Sequence, residues 1–404
     1  MSLDRMERRQ FLKSSSIGML AAGCVWPGRA AAQAGKAQEI KLPTRTLGRT
    51  GVKIPILSFG VMNTDSPDLI KRALDAGIIH LDTAHGYLRG NSETAIGRVV
   101  KERGGRDQLI IATKVWLARD HQTGAFSTQA SGRGPAATAE NLNQMLNLSL
   151  ERLQTDYVDI LYLHSCDSAQ MVNYEPLMNA AVAAQKAGRV RFIGVSCHGP
   201  VAEVVRAAAD ANIYDVAEIA FNLQREDKEE TEKAIAYAKE KGLGIVAMKT
   251  QGGKRRDEKV PMNHKASLKW VLRHEQVTTA IPGMTTFDQL ELNLAAAADL
   301  DLDEEEKNYI KLGSLEAGAQ CQSCRSCVAT CPHHVDIPTL MRAAMYAGGY
   351  GNLSHAEWTL STLPEQYGLQ VCGLCETCTA SCSHHLNISG RVAELKKTFR
   401  LPLA

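Results

Sequence analysis

Between about Lys41 and Leu312 the chain alternates short runs of apolar, largely β-branched residues with longer stretches whose apolar positions recur every three or four residues. The short runs are Ile56–Gly60, Ile78–Asp82, Leu109–Thr113, Tyr157–His164, Val190–Ser196, Val216–Asn222, Leu243–Met248 and Val277–Ile281. Short apolar runs of this kind suit strands buried on both faces. The longer stretches include Ser66–Ala76, Ser92–Arg103, Thr138–Leu153, Pro200–Ala211, Lys228–Lys241 and Thr286–Ala298, and their spacing predicts helices laid over a sheet. Strands alternating with helices imply parallel pairing. Eight such units in about 270 residues predict an α/β fold, a (β/α)8 TIM barrel over 41–312. An open doubly wound sheet is the competing architecture, but no Gly-x-Gly-x-x-Gly follows any strand. Two long loops, 116–137 and 249–261, fall on the strand-exit side, where such barrels carry their chemistry. Either could equally be plain solvated loop.

After about Leu312 the alternation stops, and cysteine, histidine and glycine become frequent. This marks a second, small domain, 313–404. Eight of the chain's eleven cysteines lie in it, as an internal repeat. Cys321-x-x-Cys324-x-x-Cys327-x-x-x-Cys331 is followed by Pro332-His333-His334-Val335-Asp336-Ile337, and Cys372-x-x-Cys375-x-x-Cys378-x-x-x-Cys382 by Ser383-His384-His385-Leu386-Asn387-Ile388. Three thiolates at this spacing can wrap three corners of one [4Fe–4S] cubane, while the fourth ligates the other cluster. That assigns Cys321, Cys324, Cys327 and Cys382 to one cluster, and Cys372, Cys375, Cys378 and Cys331 to the other. Zinc needs only one tetrahedral set of four, which two such runs over-supply. A disulfide framework is the other alternative, although tightly repeated two-residue gaps do not resemble one. With both clusters completed by cysteine, the histidine pairs are expected beside the clusters or in solvent. The 40 residues between Cys331 and Cys372 hold two helical stretches, Ile337–Ala347 and Ala356–Tyr367. The domain therefore resembles the mainly α-helical ferredoxin type, with Ser383 where a proline usually follows the last cysteine.

The first 34 residues read as a targeting segment rather than as fold. Glu7-Arg8-Arg9-Gln10-Phe11-Leu12-Lys13 precedes an apolar stretch, Ile17 to Trp26, and then small residues, Ala30-Ala31-Ala32-Gln33-Ala34, that offer cleavage sites. The apolar stretch falls short of the ~20 residues of a membrane-spanning helix. The paired arginines resemble a twin-arginine export signal, which implies a periplasmic or other extracytoplasmic location. Cys24 follows Ala21-Ala22-Gly23, a poor lipoprotein box because Ala21 is not a larger aliphatic, so a lipid anchor is not expected.

Charge removes one class of partner. With 46 basic against 44 acidic residues the net charge is +2, and no basic stripe is present, so nucleic acid is not an expected ligand.

Three successive strand ends carry the four residues of a reductive site. Asp82-Thr83-Ala84-His85-Gly86-Tyr87 ends the second strand, Lys114 the third and His164 the fourth. Reducing a carbonyl by hydride leaves charge on oxygen that a proton donor must quench. A phenol, with pKa ~10, needs help to act near neutrality. A lysine beside Tyr87 favours tyrosinate, an aspartate keeps that lysine charged, and a histidine can orient the carbonyl. These residues, with Leu47-Gly48-Arg49-Thr50-Gly51 and Ile281-Pro282-Gly283, make the barrel similar end to end to the aldo/keto reductases. Some members of that family carry a C-terminal iron–sulfur domain. The resemblance implies Tyr87 as general acid, Lys114 as its modulator, Asp82 as anchor and His164 as orienter, acting on a small carbonyl or alcohol with NAD(P)(H).

The nicotinamide pocket departs from that pattern. Ser196-Cys197 stands for the usual Ser-Asn, Glu218 for a Gln that meets the carboxamide, and Met248 for a stacking aromatic. Gly283 and Gln289 replace the Lys and Arg that grip a 2′-phosphate, and only Asn293 matches. Lys254, Arg255 and Arg256 offer substitute cations, and Met248 can pack a ring with its sulfur. The buried-cysteine reading of Cys166 and Cys197 is a small hydrophobe. Two tensions follow. Hydride moves two electrons while a cluster passes one, and an exported enzyme meets no free nicotinamide pool. A tightly held cofactor exported with the folded chain removes both. So does the alternative, an electron-transfer or ligand-binding protein, served by a redox partner protein, that uses the barrel as scaffold without nicotinamide.

Overall fold

Eight parallel strands close into a barrel in the computed structural model of the protein, which describes residues 41–252, 262–313 and 320–400. The expected leader with Cys24, and the cations Lys254 to Arg256, lie outside these residues. A hairpin comes first, β1 (Thr44–Thr46) antiparallel to β2 (Lys53–Pro55). The barrel strands are β3 (Phe59–Gly60), β4 (His80–Asp82), β5 (Ile110–Val115), β6 (Val158–Leu163), β7 (Val190–Cys197), β8 (Val216–Ala220), β9 (Gly244–Met248) and β10 (Thr279–Ala280). Each pairs in parallel with the next. The last returns to the first: Ser58 N donates to Ala280 O at 2.8 Å, Ala280 N to Ile56 O at 2.9 Å and Gly60 N to Pro282 O at 3.2 Å. Closure requires a glycine at position 60, where a Cβ would stand 2.6 Å from the Ile281 carbonyl oxygen. All six residues of β5 and all six of β6 are buried, and the polar ones among them, Thr113, Lys114 and Asp159, are each hydrogen-bonded.

Helices return the chain between strands: α1 (Pro67–Asp75), α2 (Asn91–Arg103), α3 (Ala139–Leu153), α4 (Ala169–Val172), α5 (Glu175–Lys186), α6 (Val201–Ala211), α7 (Lys228–Glu240), α8 (His264–Leu272), α9 (Phe287–Ala298) and α10 (Glu304–Gly313). Side chains cap several of them, Ser66 on α1, Thr138 on α3 and Thr286 on α9, each accepting a bond from the backbone N–H three residues on. On α3 the buried Leu142, Leu146, Ser149 and Leu153 form one stripe against the sheet.

The C-terminal segment is helical and packs on the strand-exit end of the barrel, within the same compact unit. It contains α11 (Ile337–Ala344), a five-residue π-helical continuation (Met345–Gly349), α12 (Leu353–Ser361) and α13 (Ile388–Thr398). The two cysteine runs lead into their helices in the same way. His334 and His385 both adopt left-handed backbone (φ 50° and 57°), their N–H groups donate to the carbonyls of Cys331 and Cys382, and Asp336 and Asn387 cap α11 and α13. The second histidine of each pair therefore turns the chain out of the cysteine run. A separate apolar core, including Leu340, Met341, Ile388, Val392 and Leu395, holds α11 to α13.

Candidate active site

The catalytic candidates sit at the strand exits because each lies at or just beyond the end of a barrel strand. Asp82 ends β4, Lys114 lies within β5, and His164 follows β6. Tyr87 stands after a short loop, at the head of a turn in which Leu88 and Arg89 take left-handed backbone (φ 49° and 58°). Such conformations are costly for side-chain-bearing residues and persist where the surroundings enforce them. The enforcing contacts are visible: Arg152 donates to the His85 carbonyl at 2.9 Å and to Glu93 at 3.2 Å, and Glu93 accepts from Thr113 at 2.6 Å.

Lys114 is fully buried, and three acceptors surround its Nζ: Asp82 Oδ1, the Thr83 carbonyl at 2.9 Å and Glu218 Oε2 at 3.1 Å. Burial pulls the ammonium toward neutrality, but Asp82 and then Glu218 outweigh it, and its pKa is raised. Glu218, buried beside Asp82, is raised by desolvation first and by the Asp82 charge second, against the pull of Lys114. Tyr87, 6% exposed, lies with its ring centroid 5.4 Å from Lys114 Nζ. Burial, then Glu218 and Asp82, push its phenol well above the ordinary value, so the proton is held. The His164 ring stands edge-on to Tyr87 at 5.8 Å, and burial followed by Lys114 keeps it neutral. Opposing it, His355 from α12 stands edge-on to Tyr87 at 5.6 Å. The C-terminal segment thus supplies one side of the Tyr87 environment.

A cavity of about 420 Å³ opens beside Tyr87 and runs along the exits of β8, β9 and β10 to the start of α9. Glu218, Met248, Gly283, Gln289 and Asn293 all line it. Ser196 does not; its hydroxyl accepts the Ser165 N–H at 2.9 Å behind the wall. Glu218 reaches Lys114, a contact its place in the sequence did not suggest. Asn293 accepts from the Gln251 amide at 2.8 Å, and Gln289 receives the Thr285 N–H at 2.7 Å. Among the described residues, Thr250 Oγ1 at the cavity wall is buried without a hydrogen-bond partner. Cys166 and Cys197 are buried and free, their thiols pushed up by burial.

Several residues here escaped the sequence reading. Lys249, directly after β9, lines the cavity on left-handed backbone (φ 57°). Arg342 of α11 donates to Asp167 Oδ2 at 3.0 Å, to Ser165 Oγ at 3.3 Å and to Ser323 Oγ at 3.1 Å, joining the first cysteine run to the barrel mouth. Nothing in local spacing marks Arg342 or His355, which come from the far end of the chain.

The cysteines gather in two mixed sets. Cys321, Cys324 and Cys327 lie within electrostatic reach of one another and of Cys382, while Cys372 has Cys331, Cys375 and Cys378 around it. The second set lines a cavity of about 250 Å³ whose wall includes Val335, Ile337 and Val392. All eight thiols are free. Among the described residues no three His, Cys, Asp or Glu side chains converge on one ion. Thiolates on a single zinc would stand about 4 Å apart, whereas a cubane keeps them farther apart around a void of this kind. The residues present fit such a group.

Comparison with known proteins agrees with the barrel. A family model described as "Aldo/keto reductase family" matches residues 58–267. The methylglyoxal reductase DkgB of Salmonella typhi is 30% identical over 253 residues, 60% of this chain and 85% of that protein. The aldo-keto reductase YhdN of Bacillus subtilis is 33% identical over 181 residues, 45% of this chain and 50% of its own length. Among solved structures, the holo form of an aldo-keto reductase from Bacillus halodurans aligns with a TM-score of 0.55 at 22% identity, covering 69% of this chain and 98% of that one. A thermostable aldo-keto reductase in complex with epalrestat aligns at 0.54 and 25% identity, covering 68% and 100%. Barrel, strand-end residues and sequence matches lead to one conclusion: the chain belongs to the aldo/keto reductase family and is an oxidoreductase of that type.

Proposed function

We propose that the barrel interconverts a small carbonyl compound and its alcohol, with Tyr87 as general acid and base. The observation that carries this reading is the convergence of Asp82, Tyr87, Lys114 and His164, with Asp82 and Tyr87 at the wall of the 420 Å³ cavity. A reduced nicotinamide bound in that cavity supplies a hydride. Met248, Gly283, Gln289 and Asn293 would hold it, and the unpartnered Thr250 hydroxyl is a free donor at the same wall. In the reductive direction Tyr87 gives its proton to the developing alkoxide, Lys114 stabilises the tyrosinate left behind, Asp82 fixes Lys114, and neutral His164 donates to the carbonyl oxygen. No described cation lies where a 2′-phosphate grip is expected, since Gly283 and Gln289 stand there, so preference for NADPH rests on residues elsewhere.

The two cysteine sets would hold two [4Fe–4S] clusters, which exchange single electrons with a partner protein or brace the fold. Export through a twin-arginine-type signal places the chain outside the cytoplasm; fractionation of cells expressing the tagged full chain tests that, and retention in the cytoplasm would remove it.

A second reading keeps the barrel as an electron-transfer or ligand-binding scaffold. The tie of Glu218 to Lys114 favours it, because it removes the group whose position is expected to meet a carboxamide. One experiment separates the two: nucleotide released from anaerobically purified, denatured protein is identified, and the emptied chain is titrated with NADH and NADPH and screened against carbonyls. Bound nucleotide and turnover support the first reading. Tyr87→Phe is then expected to lower kcat by about 10²-fold or more with iron content unchanged, and undiminished turnover would remove Tyr87 from the mechanism.

A further inference from the structure

The wall of the 420 Å³ cavity nearest Tyr87 holds Lys249, an amine whose pKa burial lowers to about 7 and that has no ion-pair partner among the described residues. Lys249 Nζ lies 3.6 Å from the Met62 sulfur, 5.0 Å from the ring centroid of Tyr346 and 5.3 Å from that of Tyr350. Among the described residues no carboxylate stands within ion-pair distance of it. Met62 and Tyr346 belong to the same apolar cluster as Tyr87, so the ammonium rests on the patch that also carries the proposed acid. An ammonium partly removed from water and lacking a partner is unfavourable until something supplies the negative charge.

A second observation points the same way. Deeper in the barrel mouth, the guanidiniums of Arg119 and Arg342 share a single carboxylate, Asp167, at 3.4 and 3.0 Å. Arg119 Nε is buried with no acceptor among the described residues. Arg342 and Lys249 line one small pocket together with Cys321 and Ser323. Glu218 and Asp82 favour the charged form of Lys249 through space, but both are held in contact with Lys114. Of Lys114, Arg119, Arg342 and Lys249, only Lys249 has no carboxylate within ion-pair distance among the described residues.

We infer that the carbonyl substrate is an anion, a small oxo acid whose carboxylate docks on Lys249 while its carbonyl faces Tyr87. This rests on the carbonyl-reduction reading and narrows it to a substrate class. The aromatic and thioether contacts around Nζ keep water from competing, so a carboxylate there forms a charge-assisted hydrogen bond stronger than one in bulk solvent. A neutral ketone of the same shape leaves the ammonium bare.

The test uses the cluster-loaded full chain, purified anaerobically, and measures binding separately from turnover. Calorimetry with mandelate and with mandelamide, neutral and of similar shape, reads the preference for a carboxylate. Phenylglyoxylate and its amide are assayed in parallel for reduction. Mandelate is expected to bind at least about tenfold tighter than mandelamide, the scale of one charged hydrogen bond. Lys249→Met should remove that preference and Lys249→Arg should retain part of it, with both variants folded by thermal melt. Equal binding of the two ligands, no mandelate binding, or a preference that survives in Lys249→Met would each overturn the assignment. The two readings fail differently. Reduction of the amide as readily as the acid keeps the reaction and removes the carboxylate site. Tight, Lys249-dependent mandelate binding without reduction keeps the site and removes the reaction.

Discussion

At the residue scale, the charge balance around Lys114 sets the chemistry. One ammonium faces two carboxylates, Asp82 and Glu218, and Tyr87 lies in the field of both. After burial, Glu218 is the largest influence holding the Tyr87 phenol above its ordinary value. Glu218 is itself raised by burial and by Asp82, so its charge develops as pH rises toward the range where Tyr87 titrates. Replacing it with a neutral isostere should therefore let Tyr87 ionise more easily. For Glu218→Gln the alkaline limb of kcat/KM in carbonyl reduction, which needs the protonated phenol, is expected to move to lower pH. Alcohol oxidation, which needs tyrosinate, should gain at the same lower pH. Profiles measured in both directions check this, and unmoved limbs would mean that the Glu218 charge does not reach Tyr87. Asp82, Lys114 and His164 are legible in the sequence because strand ends at successive turns of a barrel point to one place. The Glu218–Lys114 contact is not, because a family pattern that expects Gln carries no information about a carboxylate partner. Lys249 was hidden by its ordinary setting at the head of a polar loop, and Arg342 by nearly 180 residues separating it from Ser165.

At the scale of elements, the same physical signal that revealed the barrel explains what stayed unread. The barrel strands are largely buried and mostly apolar, and each of the eight overlaps a run picked out from the sequence. The β1–β2 hairpin is short and carries Thr44, Arg45, Thr46 and Lys53, which leaves no periodic pattern to detect. The π-helical Met345–Gly349 continues α11 in a sequence that reads as plain helix. The cysteine repeat was legible as two equal halves, and the halves fold alike from their last cysteines to the caps of α11 and α13. The proposed exchange of fourth ligands between its two clusters is testable by additivity. A chain with two [4Fe–4S] clusters holds about eight irons. Cys331→Ser and Cys372→Ser should each reduce this to about four and, combined, still leave about four, because both residues serve one cluster. Cys331→Ser combined with Cys321→Ser should remove nearly all iron. The opposite pattern, with the first pair emptying the chain, would mean that each run closes its own cluster. Iron content and the spin count of the reduced protein measure it.

At the scale of the whole molecule, the C-terminal segment forms the roof of the active site as well as holding its own cysteines. Trp358 of α12 lies against Gly86, where a Cβ would sit 2.7 Å from the indole, and stands edge-on to Trp116 at 6.0 Å. The 116–137 loop, which could have been plain solvated chain, is instead a dock. His121 Nδ1 bonds Asp336 at 3.0 Å, Arg325 donates to the His121 carbonyl, and the rings of His121 and Tyr367 lie 5.3 Å apart. At its tip Gly132 combines left-handed backbone (φ 56°) with direct apposition to the Thr362 carbonyl. A side chain at Gly132 meets two penalties at once, about 1–2 kcal/mol for the backbone and a further cost for backbone that must move aside. Both fall on the docked state alone, since a released loop can relax. Gly132→Ala should thus loosen the roof without unfolding the barrel or stripping the cysteine sets. Residues 116–137 and 353–367 should exchange amide hydrogens faster, while β5 and β6 keep wild-type protection. Turnover should fall with iron content intact, because His355 and Tyr346 reach Tyr87 and Lys249 only when the roof is seated. Faster exchange without a loss of turnover would show that the roof is dispensable to the chemistry; unchanged exchange would show that the loop does not hold it down.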